Sequence, residues 1–102
     1  MTRRVFKPRK RYLAVNTSRE TSGEALEQAV KHVLTKLYGV DGLTKSGYRR
    51  IYSRNHHVFA CYSEWVPRII LAISLTREMD QKPIVCRTLR ISGTLKAVSG
   101  IR

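Results

Sequence analysis

Three histidines, two cysteines and seven acidic residues are the side chains of this 102-residue chain that could do acid–base, nucleophilic or metal chemistry. Their spacing favours none of it. His32 falls in a helical stretch, and His56 and His57 stand side by side in a turn. Neighbours on an extended backbone point to opposite sides, so that pair does not converge on a metal ion. A nucleophile and its base must meet in a pocket, and nothing in the order of residues marks such a set. No paired carboxylates stand out for acid–base work. Gly39, Gly42 and Gly47 follow neither of the glycine patterns that cradle phosphates between a strand and a helix. Cys61 and Cys86 lack the spacing of a zinc site or a disulfide framework. Both lie in apolar runs, which makes them buried free thiols in a reducing, intracellular compartment. The chain is expected to bind no metal or cofactor and to have no catalytic residue of its own.

Charge points elsewhere. Twenty Lys and Arg against seven Asp and Glu give a formal net charge of +13. So many like charges on a short chain oppose compaction unless a polyanion neutralises them. Nucleic acid is the partner that does so with a gain, because phosphates meeting Lys and Arg release condensed counterions. A membrane surface would call for an amphipathic helix with a basic polar face, and neither helix of this chain has one. The longest apolar stretch, Ile69 to Leu75, is too short to span a bilayer. A soluble, cytoplasmic protein with no membrane partner is expected.

The charge is unevenly spread. Residues 1–9 form a flexible basic arm with Arg3, Arg4, Lys7 and Arg9, continued by Lys10 and Arg11, and no acid balances them. Pro8 blocks a helix there. Phosphate binding needs charge rather than geometry, so these six cations are expected to contact RNA. Residues 10–102 then read as one domain of modest core.

Within it, Tyr12 to Val15 reads as a strand. A helix follows, capped by Thr21 with Glu24 completing a capping box, and its apolar face is Leu26, Val30, Val33, Leu34 and Leu37. It ends near Gly39, and residues 39–47 read as a turn-rich loop. Gly47–Ser53 and Val58–Tyr62 read as a hairpin. Ser63 caps a second helix with Pro67 in its first turn and Trp65, Val66, Ile69, Ile70, Ile73 and Leu75 on its buried face. Arg77–Pro83 is a polar connection, and the last strand runs from Val85 to Leu95. The order β-α-β-β-α-β predicts an α+β, ferredoxin-like (RRM-like) sandwich: a four-stranded antiparallel sheet with two main helices on one face.

Such a fold leaves one sheet face open. Placing Ile51 in the core puts Tyr48, Arg50 and Tyr52 on that open face, an aromatic–cation–aromatic row. Placing Leu89 and Ile91 inward puts Thr88, Arg90 and Ser92 outward, with Tyr12 beside them. Arg50 and Arg90 are expected to contact RNA. Exposed tyrosines suit a protein interface as well as unpaired bases, and Tyr48 and Tyr52 are assigned to the former. The sequence lacks the signature aromatic motif of RNA-recognition domains.

Two terminal stretches carry a resemblance. The first strand opens Lys10-Arg11-Tyr12-Leu13, and the last runs Leu89-Arg90-Ile91-Ser92-Gly93-Thr94-Leu95-Lys96. Over about residues 10–98 the chain resembles the Pop-five/Rpp-fourteen family, protein component 2 of archaeal and eukaryotic ribonuclease P. Members often place an Arg ahead of a Cys where this chain has Ala60, and many continue further past the last strand. The resemblance implies a non-catalytic subunit that binds and stabilises the RNA which removes the 5′ leader from precursor tRNA. It implies that magnesium is held by that RNA, that precursor tRNA is met through the complex, and that component 3 is the protein partner. It places Arg11, Tyr12, Ser92 and Thr94 on RNA, and Lys96, the next cation of that stretch, is expected to contact RNA as well. The alternative is a ribosomal or ribosome-assembly protein; a small nuclease or transferase acting alone is a third, weaker reading.

Overall fold

A computed structural model describes residues 9–51, 57–79 and 81–94. Strand β1 (Lys10–Thr17) leads into the long helix α1 (Gly23–Ser46). Strands β2 (Arg49–Ile51) and β3 (His57–Tyr62) follow, then a single 3₁₀ turn (Ser63–Trp65) and helix α2 (Val66–Leu75). A short hairpin of β4 (Glu78–Met79) and β5 (Lys82–Pro83) precedes strand β6 (Cys86–Ser92). The main sheet is antiparallel in the order β2-β3-β1-β6, with β1 hydrogen-bonded on both sides. The predicted α+β architecture, four strands with two helices on one face, is thereby observed.

Local chemistry explains most element ends. Ser22 caps α1 by accepting a hydrogen bond from the Ala25 N–H at 3.1 Å. The expected cap, Thr21, instead donates to the Met79 sulfur. Pro67 sits in the first turn of α2, where its missing N–H costs nothing. Ser63 does not cap that helix; it opens the 3₁₀ turn, and its N–H donates to the Arg9 carbonyl at 2.7 Å.

The core lies between the helices and one sheet face. Leu13 and Val15 of β1 and Phe59 and Cys61 of β3 pack against Leu26, Val30 and Leu34 of α1 and Ile69, Ala72 and Ile73 of α2. The hairpin β4–β5 was expected as a polar connection, yet it delivers the buried Met79 to this core, and the neighbouring Ile84 joins it. Leu37 and Leu75, expected inside, are about two-fifths exposed. Burial pushes the Cys61 thiol up to about 11 and raises that of Cys86, so both remain protonated at neutral pH, as fits buried free thiols. Among the described residues no helix is long and apolar enough to cross a membrane.

The clearest departure from expectation is residues 39–47. Gly39 breaks the helix with φ 77° and ψ 178°, but the chain resumes helical turns to Ser46. Two glycines and an Asp disfavour helix locally. Packing reverses that preference: Gly42 is buried beside Trp65, and a Cβ there would come within 2.5 Å of the Tyr38 Cβ. Tyr38 meets Trp65 edge-on at 5.6 Å, and the Arg68 guanidinium lies 4.6 Å from the Trp65 ring centre. Gly47 then ends the helix in the left-handed region (φ 67°), its N–H donating to the Thr44 carbonyl. A Cβ at Gly47 would stand 2.8 Å from the Tyr62 ring. Gly47→Ala is therefore expected to lower unfolding stability by about 1–3 kcal/mol, the cost of a left-handed residue plus displacement of that ring; urea unfolding measures it, and unchanged stability would refute the account.

Candidate nucleic-acid interface

Residues directly opposite in an antiparallel pair share a face, so the strand register fixes what each side of the sheet presents. Leu13, Val15, Phe59 and Cys61 face the helices. Their neighbours in sequence face away and line up in rows. Arg49 of β2, Ala60 of β3, Tyr12 of β1 and Ser92 of β6 make one row. Ile51, Val58, Ala14 and Arg90 make the next. Lys10 opposite Tyr62 lies at one end, and Asn16 opposite Arg87 at the other. Ala14 and Val58 are buried in a small second cluster with Tyr12 and Ile51.

This register joins the two sequence ends that carry the resemblance. Tyr12 stands opposite Ser92, and the Arg11 guanidinium passes Gly93 so closely that a Cβ there would lie 3.2 Å from it. Ser92 Oγ accepts a hydrogen bond from the Thr94 N–H at 3.2 Å, a local turn that holds both hydroxyls together. The Arg9 carbonyl, tied to Ser63, anchors the base of the basic arm at the same end of the sheet. Lys10, Tyr12, Arg90 and Ser92 are thus brought together on the open face, with Thr94 held beside Ser92, whereas Arg11, opposite Cys61, belongs by register to the helix side and reaches Gly93 at the end of the sheet.

Electrostatics favours an anion there. The four strands of the main sheet carry Lys10, Arg11, Arg49, Arg50, Arg87 and Arg90 and no acidic residue. The described acids sit on helices, loops and the small hairpin instead. Lys10, Arg49, Arg87 and Arg90 are exposed on the face away from the helices.

The structure moves three residues that the sequence phase placed on the open face: Tyr48, Arg50 and Thr88. Tyr48 and Arg50 lie on the helix side of the sheet. Tyr48 stacks on Phe59 at 5.5 Å, its hydroxyl donates to the Glu27 carbonyl at 2.9 Å, and burial holds its phenol well above the usual range. It is a core residue and has no free ring for a partner. Arg50 runs beneath the start of α1, against Gly23, with its Nε 3.8 Å from a Glu27 carboxylate oxygen. That separation is within Coulomb range and beyond a hydrogen bond, and Nε has no hydrogen-bond partner. The strand buries the larger ring of Tyr48 in preference to Ile51, reversing the expected phase. Thr88 also turns to the helix side, because a register shift between Ala14 and Val15 skips Leu89 and places Thr88 opposite Val15. Its hydroxyl is buried without a hydrogen-bond partner. Leu89 and Ile91, expected in the core, are about two-fifths exposed. Arg3, Arg4, Lys7, Tyr52 and Lys96, with His56, lie outside the described residues.

Arg49, Tyr62 and Arg87 were not singled out from sequence, and all three stand on the open face. The run Val58-Phe59-Ala60-Cys61-Tyr62 has no charged or strongly polar position, so alternation alone gives no phase; only the parity of Phe59, the largest wholly apolar side chain, marks Tyr62 as outward.

The corrected phase separates two arginines. Arg50→Met is expected to change folding stability, by about 1 kcal/mol or less for a half-exposed pair, and to leave RNA affinity unaltered. Arg90→Gln is expected to weaken RNA binding several-fold with stability unchanged. Filter binding and thermal unfolding on both variants check this, and the reverse pattern would restore the opposite phase.

Comparison with known proteins gives a consistent result. The model of the Rpp14/Pop5 family matches residues 11–100. No curated protein sequence matches the chain. Among solved structures, a chain in the cryo-EM structure of yeast ribonuclease MRP superposes with a TM-score of 0.62 at 14% identity, over 91% of this chain and 79% of that one. At that identity the likeness is one of fold.

Proposed function

The chain belongs to the Rpp14/Pop5 family, and on that premise we propose that it is a protein subunit of a ribonuclease P ribonucleoprotein, binding and stabilising the RNA that removes the 5′ leader of precursor tRNA. The observation that carries this reading is the open face of the main sheet, with Lys10, Arg49, Arg87 and Arg90 exposed on it, no acid in any of its four strands, and Arg9 at the base of the basic arm anchored at its end. An acid-free sheet beside a cationic arm attracts phosphate and repels nothing on it. Cleavage belongs to the RNA and its magnesium ions, and the protein contributes positive charge where RNA segments crowd together. Precursor tRNA is met through the complex, and ribonuclease P component 3 is the protein partner in this reading.

Reconstitution tests it. The isolated protein is expected not to cleave precursor tRNA. Added with component 3 to the cognate RNA, it is expected to lower the magnesium concentration needed for cleavage. A reconstituted RNA indifferent to this protein would refute the assignment, and ribosomal RNA dominating a native pull-down would favour the ribosome-assembly alternative.

The arm has its own signature. If about five phosphates are neutralised, affinity falls on the order of a hundredfold or more between about 50 and about 200 mM salt. Removing residues 1–8 deletes Arg3, Arg4 and Lys7 while keeping the Arg9 anchor. The slope of log affinity against log salt is expected to shrink by about two to three. An unchanged slope would move the whole phosphate contact onto the sheet.

A further inference from the structure

At the β2 end of the open face lies a cavity of about 230 Å³, lined by Lys10, Gly47, Arg49, Ala60, Cys61 and Tyr62. We infer that it is a subsite for one unpaired nucleotide of single-stranded RNA, with the base against the Tyr62 ring and the phosphate between Lys10 and Arg49. This inference rests on the RNA-binding reading above and names a ligand within it.

Four features build the site. Lys10 stands directly opposite Tyr62, and Arg49 directly opposite Ala60, so both cations and the ring share one face. Ala60, which carries nothing beyond Cβ and is itself almost wholly buried, lines the floor of the cavity between Arg49 on one flank and Tyr12 on the other. The Tyr62 ring is held in place from below: three of its atoms lie within 3.0 Å of where a Gly47 Cβ would be, so that residue's bare backbone is the surface it rests on. A ring already fixed loses little freedom when a base stacks on it. Finally, Lys10 and Arg49 are exposed, and among the described residues neither takes part in an ion pair.

Size and chemistry select the ligand. Pockets for drug-sized molecules hold about 300–1,000 Å³, so this cavity accepts one flat ring with its phosphate and little more. An aromatic face next to cations is the recurring means of holding unpaired bases, because every base offers a π surface and every nucleotide a phosphate. Duplex RNA keeps its bases stacked away from such a ring. The row Arg49, Ala60, Tyr12 and Ser92 then carries a strand from this cavity toward β6, where Arg90 takes the next phosphates.

The test measures fluorescence anisotropy of the full chain with a short single-stranded oligoadenylate, and with an abasic version of it. Tyr62→Leu is expected to lose about tenfold in affinity for the oligoadenylate, while Tyr62→Phe binds as the native chain does. The abasic strand is expected to bind the native chain about tenfold more weakly and to be indifferent to Tyr62→Leu. Arg49→Gln and Lys10→Gln, both at exposed positions, are each expected to reduce the salt slope by about one. Thermal unfolding of every variant separates binding from folding, and Arg49→Gln decides the matter should Tyr62→Leu be unstable. The subsite is overturned if Arg49→Gln and Tyr62→Leu bind the oligoadenylate as the native chain does, or if the abasic strand binds equally well. It is overturned also if Arg49→Gln impairs capture of component 3 and leaves RNA binding intact, which would give this face to a protein. Pull-down of ribonuclease P RNA with native chain and variants keeps the two readings apart: retained association with indifferent variants removes the subsite alone, and a native chain that captures none removes the broader assignment.

Discussion

Backbone hydrogen bonding along both edges of β1 is the constraint from which the remaining geometry follows. The strand is occupied by β3 on one side and by β6 on the other, and its eight residues run the length of the sheet. Once Leu13 and Val15 are buried against the helices, the strands alternate so that Tyr12, Ala14 and Asn16 must look the other way. The same pairing settles the neighbours: Ser92 and Arg90 follow Tyr12 and Ala14, and Ala60 and Val58 do likewise. The cationic strip is the residue of a packing decision made on the opposite side of one strand.

The fold was largely legible in the residues. Leu26, Val30 and Leu34 mark one face of α1 by their spacing, Pro67 marks the start of α2, and alternation of strands and helices gives the sandwich. What escaped is where distant contacts outvote local ones. Gly39 and Gly42 argue for a loop, and only the approach of Trp65 to Tyr38 makes the second helical segment worth forming. Met79 is one apolar residue in a polar stretch, with no periodicity to announce that a hairpin carries it inward.

The open face was half legible. Tyr12, Arg90 and Ser92 fall on it as their alternation predicts. Tyr48, Arg50 and Thr88 were misplaced because the phase of their strands is set by distant contacts, and Arg11 stands opposite Cys61 on the helix side. A three-residue strand gives alternation little to work with, and Tyr48 satisfies its hydroxyl on Glu27, so an aromatic that looked like a surface ring fits the core. The bulge opposite Ala14 and Val15 shifts half of β6 by one residue, a change no pattern in Cys86–Ser92 foretells.

The pairing of Tyr12 with Ser92 has a temporal side. The strip is made from the first and last strands of the sheet, so its contacts span nearly the whole described chain. Contacts so far apart in sequence close late, since the entropy of the intervening loop must be overcome first. While the chain is being made, helix α1, the β2–β3 pair and α2 can begin to organise before β6 exists. Until that strand docks, the ordered strip is missing. The face that the sheet presents is therefore the last feature of the fold to be completed, and whatever docks on it must wait for the final strand.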